Sequence, residues 1–451
     1  MKKIIIGISI IALFFIIGLV FVGKTDNRFI FTLKEKIPHS IKNFFKDNIF
    51  FIFDYKEKLK VLKIENNLLS QRSNNLEDQI NILKKSIENL SYNPVEKKFI
   101  LAKTSELKIQ SASNQEYFIK KFNFYSKAWQ YNGKKPSGYL YRKDNFIFTL
   151  TGEGKISYFD IKNLDDDFLN SYTVNTNLSE IVTDKNIYNK GKFGFRGIFI
   201  ENDRIFLSYQ KKVKDDCYNI SILSSEFNKN YMNFSNFFTY DDCSTKMSNH
   251  TGGRMIFYND ESFLFTIGDV QRFIDAQNDD SLFGKIIKIN YENAEYKIIA
   301  KGMRDTQGGT FYKKDSIVLL TEHGPQGGDE INSLSVNEFN KNINYGWPIA
   351  TYGEILYNII EERNFKTHTE NGFKEPLHWF RGNSVAPSHI INADGFIENS
   401  EGDFFMSAMG NSPAPGRRSL HHLKFDKEYS KLIFSDIVHI GERVRDMIFL
   451  N

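Results

Sequence analysis

A glycine-headed strand pattern returns along this chain at nearly constant spacing, and that spacing restricts the fold more than any other feature. Gly138-Tyr-Leu-Tyr-Arg-Lys-Asp144 leads into Phe146-Ile-Phe-Thr-Leu150, and Gly197-Ile-Phe-Ile-Glu-Asn-Asp203 leads into Ile205-Phe-Leu-Ser208. Gly253-Arg-Met-Ile-Phe-Tyr-Asn-Asp260 and Gly309-Thr-Phe-Tyr-Lys-Lys-Asp315 lead into similar runs at Phe263 and Ile317. Each copy reads strand, polar turn, strand. The four glycines stand 59, 56 and 56 residues apart. A period of that size, with several strands per unit, predicts the blades of a β-propeller. Weaker copies near Ser388 and Asp446 bring the expected number to six, and the 79 residues from Gly309 to Ser388 predict an insertion in one blade. A blade buries one sheet face against the next, so none is stable by itself. A Greek-key sandwich, the all-β alternative, has no reason to repeat at this interval. The 42 Phe and 22 Tyr suit strands better than helices. Met447 to Asn451 reads as the first strand of a final hairpin without a partner, so an earlier segment such as Phe99 to Lys108 is a candidate to close the ring.

The expected all-β domain occupies residues 97–451, and what precedes it has a different texture. Met1-Lys2-Lys3 opens onto an almost unbroken apolar run from Ile4 to Gly23, closed by Lys24. At about 1.5 Å per residue, such a run spans a bilayer core of roughly 30 Å. Phe21, Val22 and Gly23 end it without the small-residue site of a cleaved signal. Residues 1–24 are therefore expected to anchor the chain in the cytoplasmic membrane as a single transmembrane helix. Lys2 and Lys3 would stay inside, leaving the propeller on the periplasmic or extracellular side. Residues 25–54 read as a linker. Across 55–93, Leu62, Leu69, Leu76, Leu83 and Leu90 recur every seventh residue, with Leu59, Ile80 and Ile87 three residues earlier. That pattern predicts a coiled-coil helix and a homo-oligomer.

Net charge is only +4, and the lysines are spread along the chain without a basic patch, which argues against nucleic acid as a partner. Cys217 and Cys243 are too few for a disulfide scaffold and lack zinc-ligand spacing. They are either a pair or two unrelated thiols.

Four segments place polar residues against apolar strands: Asn249 to Gly253, Arg304 to Gly308, Glu322 to Glu330, and Arg443 to Asp446. His250 is a candidate general base, because imidazole exchanges a proton near neutral pH most readily. Gly252 and Gly253 permit a ligand to approach the backbone. Arg304, Arg443 and Arg445 suit an acidic, planar molecule, since guanidinium groups pair with carboxylates in bidentate fashion. Arg443 and Arg445, if on one strand, would share a face. Asp329 and Glu330 are either oxygen ligands for a hard cation or a solvated turn.

His250-Thr-Gly-Gly-Arg254, Thr266-Ile-Gly-Asp269, Ser281-Leu-Phe-Gly-Lys285, the stretch Glu322-His-Gly-Pro-Gln-Gly-Gly-Asp-Glu-Ile-Asn332 and Asn344-Tyr-Gly-Trp-Pro348 follow one another in this order. Ala386-Pro-Ser388 and Arg443-Val-Arg445 continue the series. Over roughly residues 130 to 451 the chain resembles the soluble glucose/sorbosone dehydrogenases that use pyrroloquinoline quinone (PQQ). The resemblance implies oxidation of an aldose at its anomeric hydroxyl to a lactone, with electrons leaving to an external acceptor. It implies His250 as the base and Arg304 as the group polarising the reacting quinone carbonyl. Asp305, Gln307, Arg443, Arg445 and Lys192 would hold the cofactor. The carbonyls of Gly324 and Pro325 would hold Ca²⁺ against it, with Glu330 and Tyr345 at a second calcium. Asn249, Asp269 and Trp379 would face the sugar. The chain also departs from the family: Met303-Arg-Asp-Thr-Gln-Gly308 replaces His-Arg-Asn-Pro-Gln-Gly, and Lys192 stands where Gln or Glu is usual. A cofactor-binding lysine of the penultimate blade has no clear counterpart. The rival expectation is a non-catalytic propeller that binds a carbohydrate or a protein at the same mouth.

Overall fold

The computed structural model describes residues 98–123, 138–182, 194–245, 250–353, 368–382, 384–398, 400–410 and 416–450. The expected anchor at 1–24, linker at 25–54 and coiled coil at 55–93 lie outside them. Among the described residues no helix is long and apolar enough to cross a membrane, and the α-helix found there, Leu178–Ile181, has four residues. That finding overturns the expectation of a single-pass membrane protein with its propeller on the periplasmic or extracellular side, and neither placement is carried further.

The strands form successive antiparallel sheets in chain order. Blade one comprises Gly138–Lys143, Phe146–Thr151, Ile156–Asp160 and Phe168–Thr173. Blade two comprises Phe195–Glu201, Arg204–Lys214, Cys217–Glu226 and Ser235–Phe238. Blade three follows with Gly252–Asn259, Ser262–Ile267, Lys285–Asn290 and Tyr296–Lys301. Blade four has Thr306–Tyr312, Ile317–Glu322, Glu330–Ser335 and His378–Trp379, and blade five has Pro387–Asn392, Asp403–Ala408, Ser419–Phe425 and Leu432–His439. The first strand of each blade packs against the first strand of the next, so these five strands are innermost. The expected insertion falls in blade four, between Ser335 and His378, and its segment Ile343–Asn344 adds a short parallel strand to blade three.

The repeat of glycines has a steric cause. A Cβ on Gly197 would come 2.9 Å from the carbonyl oxygen of Gly253 on the next blade, one on Gly253 would come 2.5 Å from the Cβ of Arg196, and one on Gly308, the neighbour of the repeat's Gly309, would come 2.5 Å from the Cα of His389. Innermost strands converge at the axis, and only glycine fits where they touch. Farther out the sheets splay, and large side chains fill the wedges. Phe199, Phe206, Phe263 and Phe265 lie between blades two and three; Leu319, Ile390, Phe404 and Met406 lie between four and five. Apolar burial thus sits between blades rather than within them, so the ring stands or falls together.

Among the described residues five blades are present, not the expected six. The stretch around Asp446 forms no strand. Its polar groups are fixed instead: the Asp446 carboxylate accepts the Leu140 N–H at 2.9 Å and pairs with Arg254 at 3.0 Å. Met447, Ile448 and Phe449 line a channel cavity of about 280 Å³ together with residues from all five innermost strands. A hairpin, Lys98–Gln110 with Glu116–Asn123, extends blade one at its outer edge, pairing residues 98–102 with 168–172. Its turn reaches blade five, where Ala112 N–H donates to the Ile437 carbonyl and Ser113 N–H to Asp436, both at 2.9 Å. The early segment considered for closing the ring therefore spans the first and last blades. Cys217 and Cys243, left open by the sequence, form a disulfide.

Candidate active site

The polar segments meet where the chain enters the innermost strands of blades three and four. His250 immediately precedes blade three in a left-handed conformation, with φ of 56°. The neighbouring strand ends at Ile267, and at the next residue, Gly268, a Cβ would lie 2.0 Å from the His250 carbonyl oxygen. Glycine at that position lets the following residue, Asp269, come alongside the imidazole. Asp269 Oδ1 lies 2.9 Å from His250 Nδ1 and accepts the Gln271 N–H at 2.8 Å, while Oδ2 accepts the Trp347 indole N–H at 2.6 Å. Arg304 Nη2 lies 2.7 Å from His250 Nε2. A guanidinium only donates, so Nε2 is the acceptor and the neutral ring carries its proton on Nδ1, donated to Asp269. A carboxylate behind and an acceptor nitrogen in front is the arrangement of an oriented base.

Both terminal nitrogens of the Arg304 guanidinium are engaged by acceptors. Its Nη1 donates to the carbonyls of His323 at 2.6 Å and Gly324 at 3.0 Å, and its guanidinium lies 5.4 Å over the Trp347 ring. Its Nε is buried without a hydrogen-bond partner. The backbone beneath it is shaped by Glu322, whose carboxylate accepts the N–H groups of Arg304, at 2.7 Å, and Asp305, and the Thr306 hydroxyl at 2.6 Å. Burial pushes the Glu322 carboxyl up to about 7.

Asp305 continues the network. Its Oδ1 accepts the Gly252 N–H at 3.1 Å and the Gln307 amide at 2.7 Å, and its Oδ2 lies 3.6 Å from His323 Nδ1. Burial works to raise its pKa, but His323, His250 and the Gly252 N–H outweigh burial and hold the carboxyl below its usual range. Gln307 passes the chain of contacts to Arg445, whose Nη1 donates to Gln307 Oε1 at 2.9 Å. The fold thus gathers His250, Arg304, Asp305, Gln307, Gly324 and Arg445, which are distant in sequence.

Other expected residues are placed differently. Arg443 is exposed, because residues 440–450 form no strand and do not hold Arg443 and Arg445 on one face. Asp269 is fully buried with both oxygens engaged, so it serves His250 and is closed to a sugar. Trp379 lies on the outer strand of blade four, stacked on Tyr352 with centroids 4.2 Å apart. Lys192 and Asn249 lie outside the described residues. Glu322, His323 and Trp347 were quoted only as parts of longer motifs; the signal for Glu322 was a carboxylate ending an apolar strand.

Among the described residues no group of three or more His, Cys, Asp or Glu is arranged to hold a metal. A cation here would depend on carbonyl and amide oxygens. The Gly324 carbonyl already receives Arg304, and the Pro325 carbonyl receives the Gly328 N–H at 2.8 Å; each retains a second lone pair. Farther back a cavity of about 20 Å³, the room of one ion or water, is lined by Glu322, Glu330, Asn332, Tyr345 and His368. Burial, with Glu322 adjacent, pushes Glu330 up to about 8, and Asn332 Oδ1 is buried without a partner. The pocket thus presents carboxyl and amide oxygens, with Arg304 at its margin.

The family model for glucose/sorbosone dehydrogenase matches residues 169–448. The aldose sugar dehydrogenase YliI of Escherichia coli is 28% identical over 214 residues, covering 44% of this chain and 56% of that protein. An uncharacterised Synechocystis protein is 29% identical over 223 residues, covering 44% and 50%. The chain spans about half the length of the curated relatives it matches. A glucose dehydrogenase crystal structure superposes with a TM-score of 0.56 at 21% identity, covering 69% of this chain and 89% of that one. The apo soluble aldose sugar dehydrogenase of Escherichia coli gives 0.52 at 20% identity, covering 68% and 88%. At these identities the structural likeness shows the propeller fold.

Proposed function

The chain belongs to the glucose/sorbosone dehydrogenase family, and from that membership we propose that it oxidises an aldose at its anomeric hydroxyl, giving a lactone. The observation that carries this reading is His250, clamped by Asp269 on Nδ1 and presenting Nε2 at the mouth beside Arg304. PQQ, when bound, would supply the hydride acceptor, and calcium a Lewis acid that polarises its carbonyl. The site's donors suit that polyanionic quinone: Arg304 Nε and His323 Nε2 are buried without partners, and Arg445 donates to the Gln307 amide and lies over the Tyr139 ring. Gly324 and Pro325 offer carbonyl oxygens to one calcium, and Glu330 with Tyr345 lines the pocket for a second.

His250 Nε2 takes the anomeric hydroxyl proton as the C1 hydride leaves, so the sugar gives up one proton to the imidazole and one hydride, two electrons and two protons in all, and becomes the lactone. Asp269 stabilises the imidazolium so formed and keeps the ring from turning. Arg304 must release Nε2 for the hydroxyl to reach it, and an anion in the mouth competes for its fork. Asp305 and Gln307 hold Arg445 and the Gly252 backbone in register.

Purified protein reconstituted with PQQ and calcium should reduce a dye when given aldoses. His250→Ala should abolish turnover while leaving cofactor binding and folding intact. Undiminished turnover in His250→Ala would refute the assignment of the base.

A further inference from the structure

Arg196 stands second in the innermost strand of blade two, Phe195–Glu201, at the end of the blade where His250 and Thr306 enter theirs. It interrupts an apolar run and is only 9% exposed. Its Cβ lies against the innermost strand of blade three, close enough that a Cβ on Gly253 would meet it at 2.5 Å. Its Nε is sealed from solvent with no hydrogen-bond partner.

The nearby carboxylates are engaged elsewhere. Asp446 receives Arg254 on both oxygens, together with the Leu140 N–H. Asp305 receives Gly252 and Gln307 and faces His323. Arg445, on the site network, is close enough for the Arg196 charge to act on it. The mouth therefore holds like charges side by side, one of them nine-tenths buried and without a counter-ion among the described residues. A buried guanidinium without an anion is costly, and the cost is removed when a planar anion meets its fork.

We propose that Arg196 is a carboxylate-binding residue of this mouth, taking two parallel N–H···O bonds from its guanidinium to a carboxylate of the bound molecule. The carboxylate belongs either to the cofactor or to an acidic sugar such as a uronic acid. The first source rests on the quinone reading above; the second does not.

The test compares wild type with Arg196→Leu and Arg196→Lys, without turnover. PQQ binding is followed by tryptophan fluorescence, and D-glucuronate and D-glucose binding by calorimetry on the apo protein. Arg196→Leu should weaken at least one carboxylated ligand by about tenfold to a hundredfold, the scale of a charge-assisted pair. Glucose should be unaffected, and Arg196→Lys should recover only part of the loss, because an ammonium lacks the fork. Ligand-free Arg196→Leu should melt no lower than wild type, since a buried unpaired charge has been removed. Should that variant fail to fold, Arg196→Gln makes the same comparison. Weakened PQQ alone identifies the cofactor as the source; weakened glucuronate alone identifies the sugar. If wild type ignores PQQ but Arg196→Leu loses glucuronate, the quinone reading falls and this assignment stands. Equal affinity of wild type and Arg196→Leu for both carboxylates, or no wild-type binding of either, overturns it.

Discussion

Replacing Asp269 with Asn should disable His250 without emptying the site. The carboxylate serves three donors: His250 Nδ1–H, the Gln271 N–H and the Trp347 indole N–H, at 2.9, 2.8 and 2.6 Å. An amide of the same shape cannot satisfy all three. With its oxygen toward Trp347, its NH₂ faces Gln271 and forces the imidazole proton onto Nε2, where Arg304 already donates. With its oxygen toward His250, the tautomer survives but the Trp347 N–H is orphaned, and no negative charge remains to stabilise the imidazolium. Each orientation leaves a buried donor unpaired, at about 1–3 kcal/mol. Loss of a carboxylate behind a catalytic imidazole costs roughly 10³–10⁴-fold in turnover, about 4–5.5 kcal/mol. Steady-state dye reduction, paired with thermal melts and ¹⁵N shifts of His250, measures both consequences. Turnover within tenfold of wild type, with an unchanged melting temperature, would refute the clamp.

Three further outcomes follow from the fold. Cys217→Ser should lower stability by roughly 3 kcal/mol, from the chain entropy of a loop closed at a separation of 26 residues, and a melt unchanged by the substitution or by reductant would contradict that. Gly308→Ala places a methyl 2.5 Å from the backbone of blade five, so denaturation should show a loss of about 1–3 kcal/mol or more; a neutral result would mean the strands can move apart. Lys285 is fully buried with its ammonium on the carbonyls of Asp275, Ala276 and Phe283, and burial lowers its pKa to about 8 from an unfolded 10.5. Between those values the unfolded chain keeps a proton that the folded chain has shed, so stability should rise with pH across this window by up to roughly 3 kcal/mol relative to Lys285→Met. A wild-type-minus-variant difference in urea stability that stays flat from pH 8 to 10 would contradict it.

The blade repeat was legible because its cause is steric and local: glycines recur where innermost strands touch, and polar turns follow them. The missing sixth blade was not legible, since Met447-Ile-Phe-Leu450 has the composition of a strand while the Asp446 carboxylate, bound to Leu140 and Arg254, fixes the segment without ladder pairing. His250 and Arg304 announced themselves as polar residues beside apolar strands. Asp269 was read as facing the sugar, because its true neighbours, His250 and Trp347, are brought to it by a glycine contact and by another blade's insertion. Arg443 and Arg445 were expected on one face by strand alternation, which fails where no strand forms. Arg196 gave no signal beyond a charge inside an apolar run, because its meaning depends on which carboxylates its neighbours have already taken.

A titration of the purified, metal-stripped chain with PQQ and calcium, followed by cofactor absorbance before and after adding an aldose, bears on the whole account at once. Saturation at one cofactor per chain, then conversion to the reduced spectrum on adding sugar, is the predicted result. A folded protein whose presence leaves the cofactor spectrum unchanged would contradict it.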